Sequence, residues 1–338
     1  MKQAGKVPGF IIGEIETAAG AVPVVPARLR ARDRLQGWLT RWGYRRMSHT
    51  IAPGLYAVGA PDPDSPVLVS ANYNLSFDSL RVRLAGIDAW LLVVDTKGIN
   101  VWCSAGKGTF SAGEIALRLT VSGLPKIVRH RRLILPQLSA PGVAAHEVTR
   151  LTKFQVLYGP VRAADIPEFL RRGNVADPAM RKVAFGFKDR LVLTPIELVH
   201  TWKVALPILA VLWVQHLLSG KSANWDIGTA FLPYAGAILA GTIVVPALLP
   251  WIPGRSFAFK GWLFGFVAAF IFTRAAHSGP AASAAYLALL PAIVSILSLF
   301  FTGSSTFTSP SGVKKEMRIA VPLLSLLALA GIILFFIA

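Results

Sequence analysis

The chain has 338 residues, of which 54% are hydrophobic and only 15% charged, and its formal net charge is +18. That balance excludes an ordinary soluble protein. One cysteine excludes an internal disulfide framework and a multi-thiolate cluster.

The polarity is uneven. Residues 1–199 hold 27 Lys/Arg and 15 Asp/Glu, whereas residues 200–338 hold 8 and 2. This reads as a basic N-terminal helical segment at 1–50, an α/β domain at 51–199 and an apolar membrane domain at 200–338. The opening MKQAGKVPGF has neither the apolar core nor the cleavage site of a signal peptide. The first half is therefore expected in the cytoplasm, where a thiol stays reduced.

Residues 27–42 interleave Arg28, Arg30, Arg32, Arg34 and Arg41 with Leu29, Leu35, Trp38 and Leu39. Two readings stand side by side: a basic amphipathic helix on an anionic membrane surface, or a solvated helix packed by one face on the domain. Nucleic acid is not expected as a partner of a chain with membrane spans.

Short apolar or β-branched runs at 55–59, 67–73, 89–96, 132–137 and 153–158 predict strands. Segments at 76–85, 104–120, 143–151 and 164–172 predict helices. The alternation predicts a parallel sheet with crossover helices, which binds ligands beyond the carboxyl ends of its strands.

Five apolar stretches follow at 204–218, 227–251, 257–273, 281–301 and 319–338, each near the ~20 residues that cross a hydrocarbon core. Trp202, Trp225, Trp251 and Trp262 stand at span ends, as an aromatic belt does. With the first half inside, Arg255, Lys260, Lys314, Lys315 and Arg318 fall in cytoplasmic loops against Lys221 and Arg274 outside. This distribution obeys the positive-inside rule and leaves the C-terminus outside. No span has an acid at its centre, so an anchor is favoured over an ion path. Gly261-xxx-Gly265 is a candidate close-packing face.

The predicted strand at 89–96 leads into NVWCSAGK, residues 100–107, which holds the lone cysteine. A P-loop fails at Val101 and Gly108, and a dinucleotide fingerprint fails at Ser111. A Cys nucleophile needs a base, for which His130 and His146 are the candidates. A buried structural thiol is the other reading of a lone Cys. The neighbours argue against burial: small residues at 104–106 leave room for a large, flat ligand, and a helix N-terminus favours an anion.

Asn100-Val101-Trp102-Cys103-Ser104-Ala105-Gly106-Lys107 closely resembles the N-[VI]-W-C-A-[AG]-G-K signature of the HgcA family of mercury-methylating corrinoid proteins. It departs at Ser104, where alanine is usual, by one hydroxyl. A soluble domain followed by five spans is also that family's layout. The soluble part is similar to the corrinoid-binding part of the corrinoid iron–sulfur protein of the acetyl-CoA pathway.

The resemblance implies an α/β Rossmann-like cobalamin-binding domain followed by an all-α transmembrane domain of five helices. It makes Cys103, on a short cap helix, the lower axial ligand of cobalt. Asn100, Val101, Trp102, Ala105, Gly106 and Lys107 become cofactor contacts. Asn100 either caps the helix or bonds a corrin amide; Trp102 either packs on the ring or fills the core. Lys107 either reaches a corrin amide or phosphate or faces solvent. Ser70 matches a hydroxyl near the lower face in relatives, and Gln137, Gly142, Gly159 and Pro160 are candidates from their places at strand ends.

The implied activity is transfer of a cobalt-bound methyl group to inorganic Hg(II), giving methylmercury. A soft thiolate raises electron density on cobalt and labilises the opposite bond, which suits an electrophilic acceptor. The alternatives are a membrane-anchored corrinoid methyl carrier of one-carbon metabolism and a non-enzymatic corrinoid-binding module. One cysteine cannot hold an iron–sulfur cluster, so an external electron donor follows. The family supplies HgcB, a ferredoxin-like partner with two 4Fe–4S clusters that also delivers Hg(II). The implied location is the cell inner membrane, multi-pass, in contact with lipid.

Overall fold

A computed structural model describes residues 10–219, 226–305 and 308–338. The chain divides into two compact units, Met1–Thr40 with Tyr44–Val183, and Arg41–Gly43 with Ala184–Ala338. The main break thus falls near 183 rather than 199. Phe185, Leu193 and Leu198 pack with the core of the apolar unit, so the segment before the first span belongs to it.

In the first unit, β1 (Gly13–Thr17) and β2 (Gly20–Val24) form a hairpin. This corrects the reading of 1–50 as helical: Ile15, Val22 and Val24 pack with the core, and Gly20 takes the positive φ the turn requires. Next come α1 (Ala31–Arg41), β3 (Gly54–Val58), β4 (Val67–Ala71), α2 (Asn74–Arg81) and β5 (Ala89–Val94). They are followed by α3 (Val101–Gly106), α4 (Ala112–Ser122), α5 (Leu124–Ile127), β6 (Arg132–Leu135), α6 (Ala145–Thr152), β7 (Gln155–Tyr158) and α7 (Ile166–Arg171).

Among the described residues the strands form one sheet in the order β1-β2-β3-β5-β4-β6-β7. The set β5-β4-β6-β7 is parallel, as expected, but β3 runs antiparallel to β5. The sheet is therefore mixed. The link from β3 to β4, residues 59–66, contains no helix and is too short for a parallel crossover. It crosses the amino end of β5 instead.

Strand alternation sorts the core into two layers. Leu55, Val67, Val69, Trp90, Leu92 and Leu133 face α4, α5 and α6, where Phe110, Ile115, Leu119 and Val148 meet them. Tyr56, Leu68, Leu91 and Ile134 face α2 and α7 through Phe77, Leu80, Ile166 and Phe169. Three layers result, with the parallel strands buried on both faces, which is why they read as continuous apolar runs.

The second unit opens with α8 (Phe187–Leu191) and α9 (Thr194–His200). It continues with α10 (Trp202–Ser219), α11 (Ile227–Leu239), a π turn at Ala240–Val244, α12 (Val245–Leu248), α13 (Phe257–Ala275), α14 (Pro280–Phe300) and α15 (Pro310–Ile337). Among the described residues, five helical segments are long and apolar enough to cross a membrane. Helix α14 is central: Ala285, the run Ala288–Ser295 and Leu297–Leu299 are buried in it, whereas α10 buries Leu212 alone. Gly261 and Gly265 face it so closely that added Cβ atoms would lie 2.6 Å from Ser298 Oγ and 2.8 Å from Pro291 Cα. The small-residue pair is a packing face.

Two polar contacts fix which helix ends share a side. Arg190, on α8 and buried, donates to the Ala247 carbonyl at 2.9 Å and to that of Phe185 at 2.8 Å. Glu316, on α15, accepts from Ser256 Oγ at 2.9 Å and from the Ala258 amide at 2.8 Å. Lys314, Lys315 and Arg318 therefore lie in the first turns of a helix rather than in a loop. Lys221 and Trp225 lie outside the described residues.

Candidate functional site

The parallel strands fix where a ligand site belongs. From β4 the chain crosses to β5 on one side, and later places β6 on the other, so the direction of winding reverses between β4 and β6. A crevice opens beyond carboxyl ends at such a point. Helix α3 sits there. Six residues, 95–100, separate it from β5, and it packs on the 3₁₀ turn Gln137–Ser139 that follows β6, with β4 between the two strands.

Three devices hold α3. Asn100 is its N-cap, with Oδ1 accepting the Cys103 amide at 2.9 Å. Gly142 lets the loop after β6 touch the helix backbone: a Cβ there would stand 2.5 Å from the Ala105 oxygen and 2.6 Å from its Cα. The helix ends at Lys107, and Gly108, at φ +75°, turns the chain so that Phe110 enters the core. Burying that ring contributes about 1.5–3 kcal/mol. The predicted helix 104–120 is therefore two helices, the second capped by Ser111.

The turn before α3 is held from β4. Asn72 Oδ1 accepts from the Thr96 amide at 3.0 Å, the Thr96 hydroxyl at 2.8 Å and the Gly98 amide at 3.1 Å. Its Nδ2 donates to Asp95 Oδ1 at 3.1 Å, and Glu114 accepts the Asp95 amide at 2.7 Å. Gly98 has φ +70°, and a Cβ on it would meet the Met47 carbonyl at 2.5 Å. Partial burial opposes ionisation of Asp95, but hydrogen bonds from the Lys97 ammonium and amide outweigh it and hold the carboxyl below its ordinary range. Asn72, Thr96, Gly98 and Glu114 are absent from the sequence reading. The turn composition of Asp95-Thr-Lys-Gly98 was the available signal, and its partner on a neighbouring strand was not.

Helix α3 has a clear division of faces. Val101, Ser104 and Ala105 turn inward, while Trp102, Cys103, Gly106 and Lys107 are exposed. The buried-thiol reading is thereby overturned: the thiol is exposed, and the Trp102 side chain is 40% exposed rather than core filler. The Ser104 hydroxyl donates to the Val101 carbonyl at 3.0 Å, so the serine-for-alanine difference is absorbed inside. Nothing lies within 4 Å of a Cβ built on Gly106. An indole, a thiol, a bare glycine and an ammonium thus share one open face.

The other predicted contacts divide. Gln137 is on the turn touching α3, and its Oε1 accepts from Arg181 at 2.9 Å. Ser70 is buried on the α2 side of the sheet, its hydroxyl directed at the Ala71 carbonyl. Gly159 and Pro160 are buried, and the Gly159 amide extends the sheet to Leu135 at 2.8 Å. Ser70, Gly159 and Pro160 are thus buried, unlike Trp102, Cys103, Gly106 and Lys107. His130 bonds the Ser65 carbonyl at 2.9 Å beside the amino ends of β4 and β6, the edge opposite Cys103, which removes it as a base.

Among the described residues no three His, Cys, Asp or Glu side chains converge to hold a metal ion. A metal bound by Cys103 must bring its remaining ligands with it. The open face, with free space at Gly106, leaves room for a metal carried in a macrocycle, with sulfur as the single protein donor.

Comparison with known proteins finds relatives of this unit. Residues 45–170 match the family model of the CO dehydrogenase/acetyl-CoA synthase delta subunit. The match runs from β3 through β7 and includes α3. Relatives include the acetyl-CoA decarbonylase/synthase complex subunit gamma of Methanopyrus kandleri, 34% identical over 38% of this chain and 28% of that protein. The protein of the same name from Archaeoglobus fulgidus is 33% identical over 36% and 26%. That of Methanothermobacter thermautotrophicus is 32% identical over 37% and 27%. The chain spans about a quarter of the length of these curated relatives.

Proposed function

We propose that the chain is a membrane-anchored corrinoid protein that transfers a methyl group to inorganic Hg(II), with the Cys103 thiolate as the protein's ligand to cobalt. One observation carries this reading: a lone thiol, exposed on a capped helix beyond the carboxyl ends of parallel strands, within an octapeptide resembling the mercury-methylating signature. The match to acetyl-CoA decarbonylase/synthase subunits, a family of corrinoid iron–sulfur proteins, supports corrinoid binding in the same unit.

When bound, the corrinoid supplies the methyl group on cobalt and the redox range to receive another. The protein's part is positional and electronic. Asn100 and Gly142 fix the helix, so the sulfur is presented without reorganisation. Gly106 leaves room for a ring edge, and Trp102 offers an apolar surface beside it. The Cys103 sulfur would be the residue holding the metal, a softer donor than imidazole and one suited to methyl transfer to an electrophile such as Hg(II). With one cysteine, the chain takes its electrons from outside, and HgcB, the ferredoxin-like protein with two 4Fe–4S clusters, is the proposed donor and Hg(II) supplier. The proposed orientation puts the α/β unit in the cytoplasm and the C-terminus of α15 outside.

The curated relatives favour a second reading. They are subunits of acetyl-CoA decarbonylase/synthase complexes, which fits a methyl carrier of one-carbon metabolism. Purified protein loaded with methylated corrinoid separates the two. Methylmercury on addition of Hg(II), lost in Cys103→Ala, supports the first; bound corrinoid with no methylmercury supports the second.

A further inference from the structure

Helix α1 is built inside out. Its buried residues are Gly37 and Thr40, and the Thr40 hydroxyl accepts from Asn74 Nδ2 at 3.3 Å. Leu35 and Trp38, the bulky apolar residues expected to pack, stand on the outward face, each 56% exposed. Tyr44 and Met47, just beyond the helix, are equally exposed at 56%. Four large apolar side chains thus face out from one short stretch.

The stretch is also strongly basic. Residues 28–46 contain seven arginines and one acid, Asp33. Asp33 is already engaged by the buried Arg81 at 2.9 Å, so it offsets little of the outer field. Arg28, Arg30, Arg32, Arg34 and Arg45 are exposed around the apolar residues.

This pairing selects its occupant. An acidic protein surface would satisfy the guanidinium groups but would leave four bulky apolar side chains against charge. A bilayer interface takes both: phosphate and carboxylate headgroups for arginine, and the acyl boundary for Trp, Leu, Met and Tyr. The five apolar helices among the described residues, long enough to cross a bilayer, would keep this surface tethered to one, so a weak intrinsic affinity suffices. We propose that Leu35, Trp38, Tyr44 and Met47, with Arg28, Arg30, Arg32, Arg34 and Arg45, form a docking face for anionic phospholipid headgroups. The face holds the α/β unit down on the lipid surface. It stands independently of the corrinoid reading, and its test reads no cofactor.

The test uses the full chain in lipid nanodiscs, made with phosphatidylcholine alone or with added phosphatidylglycerol. In a Cys103→Ser background, Leu35→Cys carries an environment-sensitive fluorophore. Trp38→Cys is a second labelling site, and Val121→Cys, 69% exposed on α4, is the aqueous reference. The expected result is a blue-shifted label at 35 and 38, quenched by nitroxide lipid in the anionic discs. Each of Arg32→Gln and Arg34→Gln should lower the docked-to-free ratio by about fivefold, and high salt should reverse docking. Labels at 35 and 38 as aqueous as at 121 in both discs would overturn the proposal. So would equal embedding with and without phosphatidylglycerol, or burial that persists in neutral detergent, which would mean a protein contact.

Discussion

Asn100 Oδ1 accepts the backbone N–H of Cys103 at 2.9 Å, so the residue that starts the helix also fixes the amide of the residue that bears the thiol. The bond satisfies one of the orphan donors of a first turn and sets the thiol's position at the same time. Asn100→Ala should cost about 1 kcal/mol of local stability, whereas Asn100→Asp should retain most of it. Hydrogen exchange at the Cys103 amide checks this, with faster exchange expected in the alanine variant alone.

Two glycines near the thiol are expected to respond oppositely to alanine. Gly142→Ala drives a methyl into the Ala105 backbone, which cannot swing aside. It should destabilise the α/β unit by about 1–3 kcal/mol. Gly106→Ala meets open space and lies in a helix, so the unit should be unchanged or more stable by up to about 1 kcal/mol. Its expected effect is weaker corrinoid binding. Thermal unfolding paired with cofactor titration separates the two.

Asn72→Ala should loosen the turn that launches α3. Its carboxamide oxygen receives three hydrogen bonds, two of them from Thr96, which is fully buried. The Thr96 hydroxyl keeps the Ile99 carbonyl at 2.7 Å, but leaving the Thr96 and Gly98 amides without their acceptor should cost about 2–3 kcal/mol. Circular dichroism melts, with exchange protection at the Gly98 amide, would show it; an unchanged melt would refute the clamp.

Acid should release the same turn. Despite partial burial, Lys97 holds the Asp95 carboxyl below its ordinary range. A carboxyl depressed in the folded state stabilises fully above its unfolded value, and the contribution is lost as pH falls through the folded one. Protection of residues 95–98 should therefore persist at about pH 5 and fade below about pH 4. Asp95→Asn should flatten that dependence.

In the membrane unit, Gly265→Leu should force α13 away from Pro291 and Val294 of α14. Lower melting temperature in detergent, with the exchange pattern of the α/β unit intact, is the expected outcome.

The strands and helices near the site were legible because parallel strands buried on both faces read as unbroken apolar runs. Val67–Ala71 and Ala89–Val94 are such runs. The octapeptide was legible because its exposed residues are chemically distinctive. The antiparallel β3 was hidden: strand direction depends on the length and course of the 59–66 loop, and the apolar content of Gly54–Val58 is silent about it. The β1–β2 hairpin was masked by Ala18, Ala19 and the arginines beyond. Gly142 and Asn72 act on α3 across loops and strands, and no local pattern marks such contacts. Ser70, Gly159 and Pro160 shared the strand-end positions of true surface residues, but burial removed them from the open face.

The central claim is a bond between the Cys103 sulfur and cobalt. The most direct measurement is the absorption spectrum of purified, corrinoid-loaded protein, wild type against Cys103→Ala. A wild-type spectrum displaced from that of the free corrinoid, reverting or disappearing in the alanine variant, is the predicted result. Identical spectra from the two loaded proteins would contradict it.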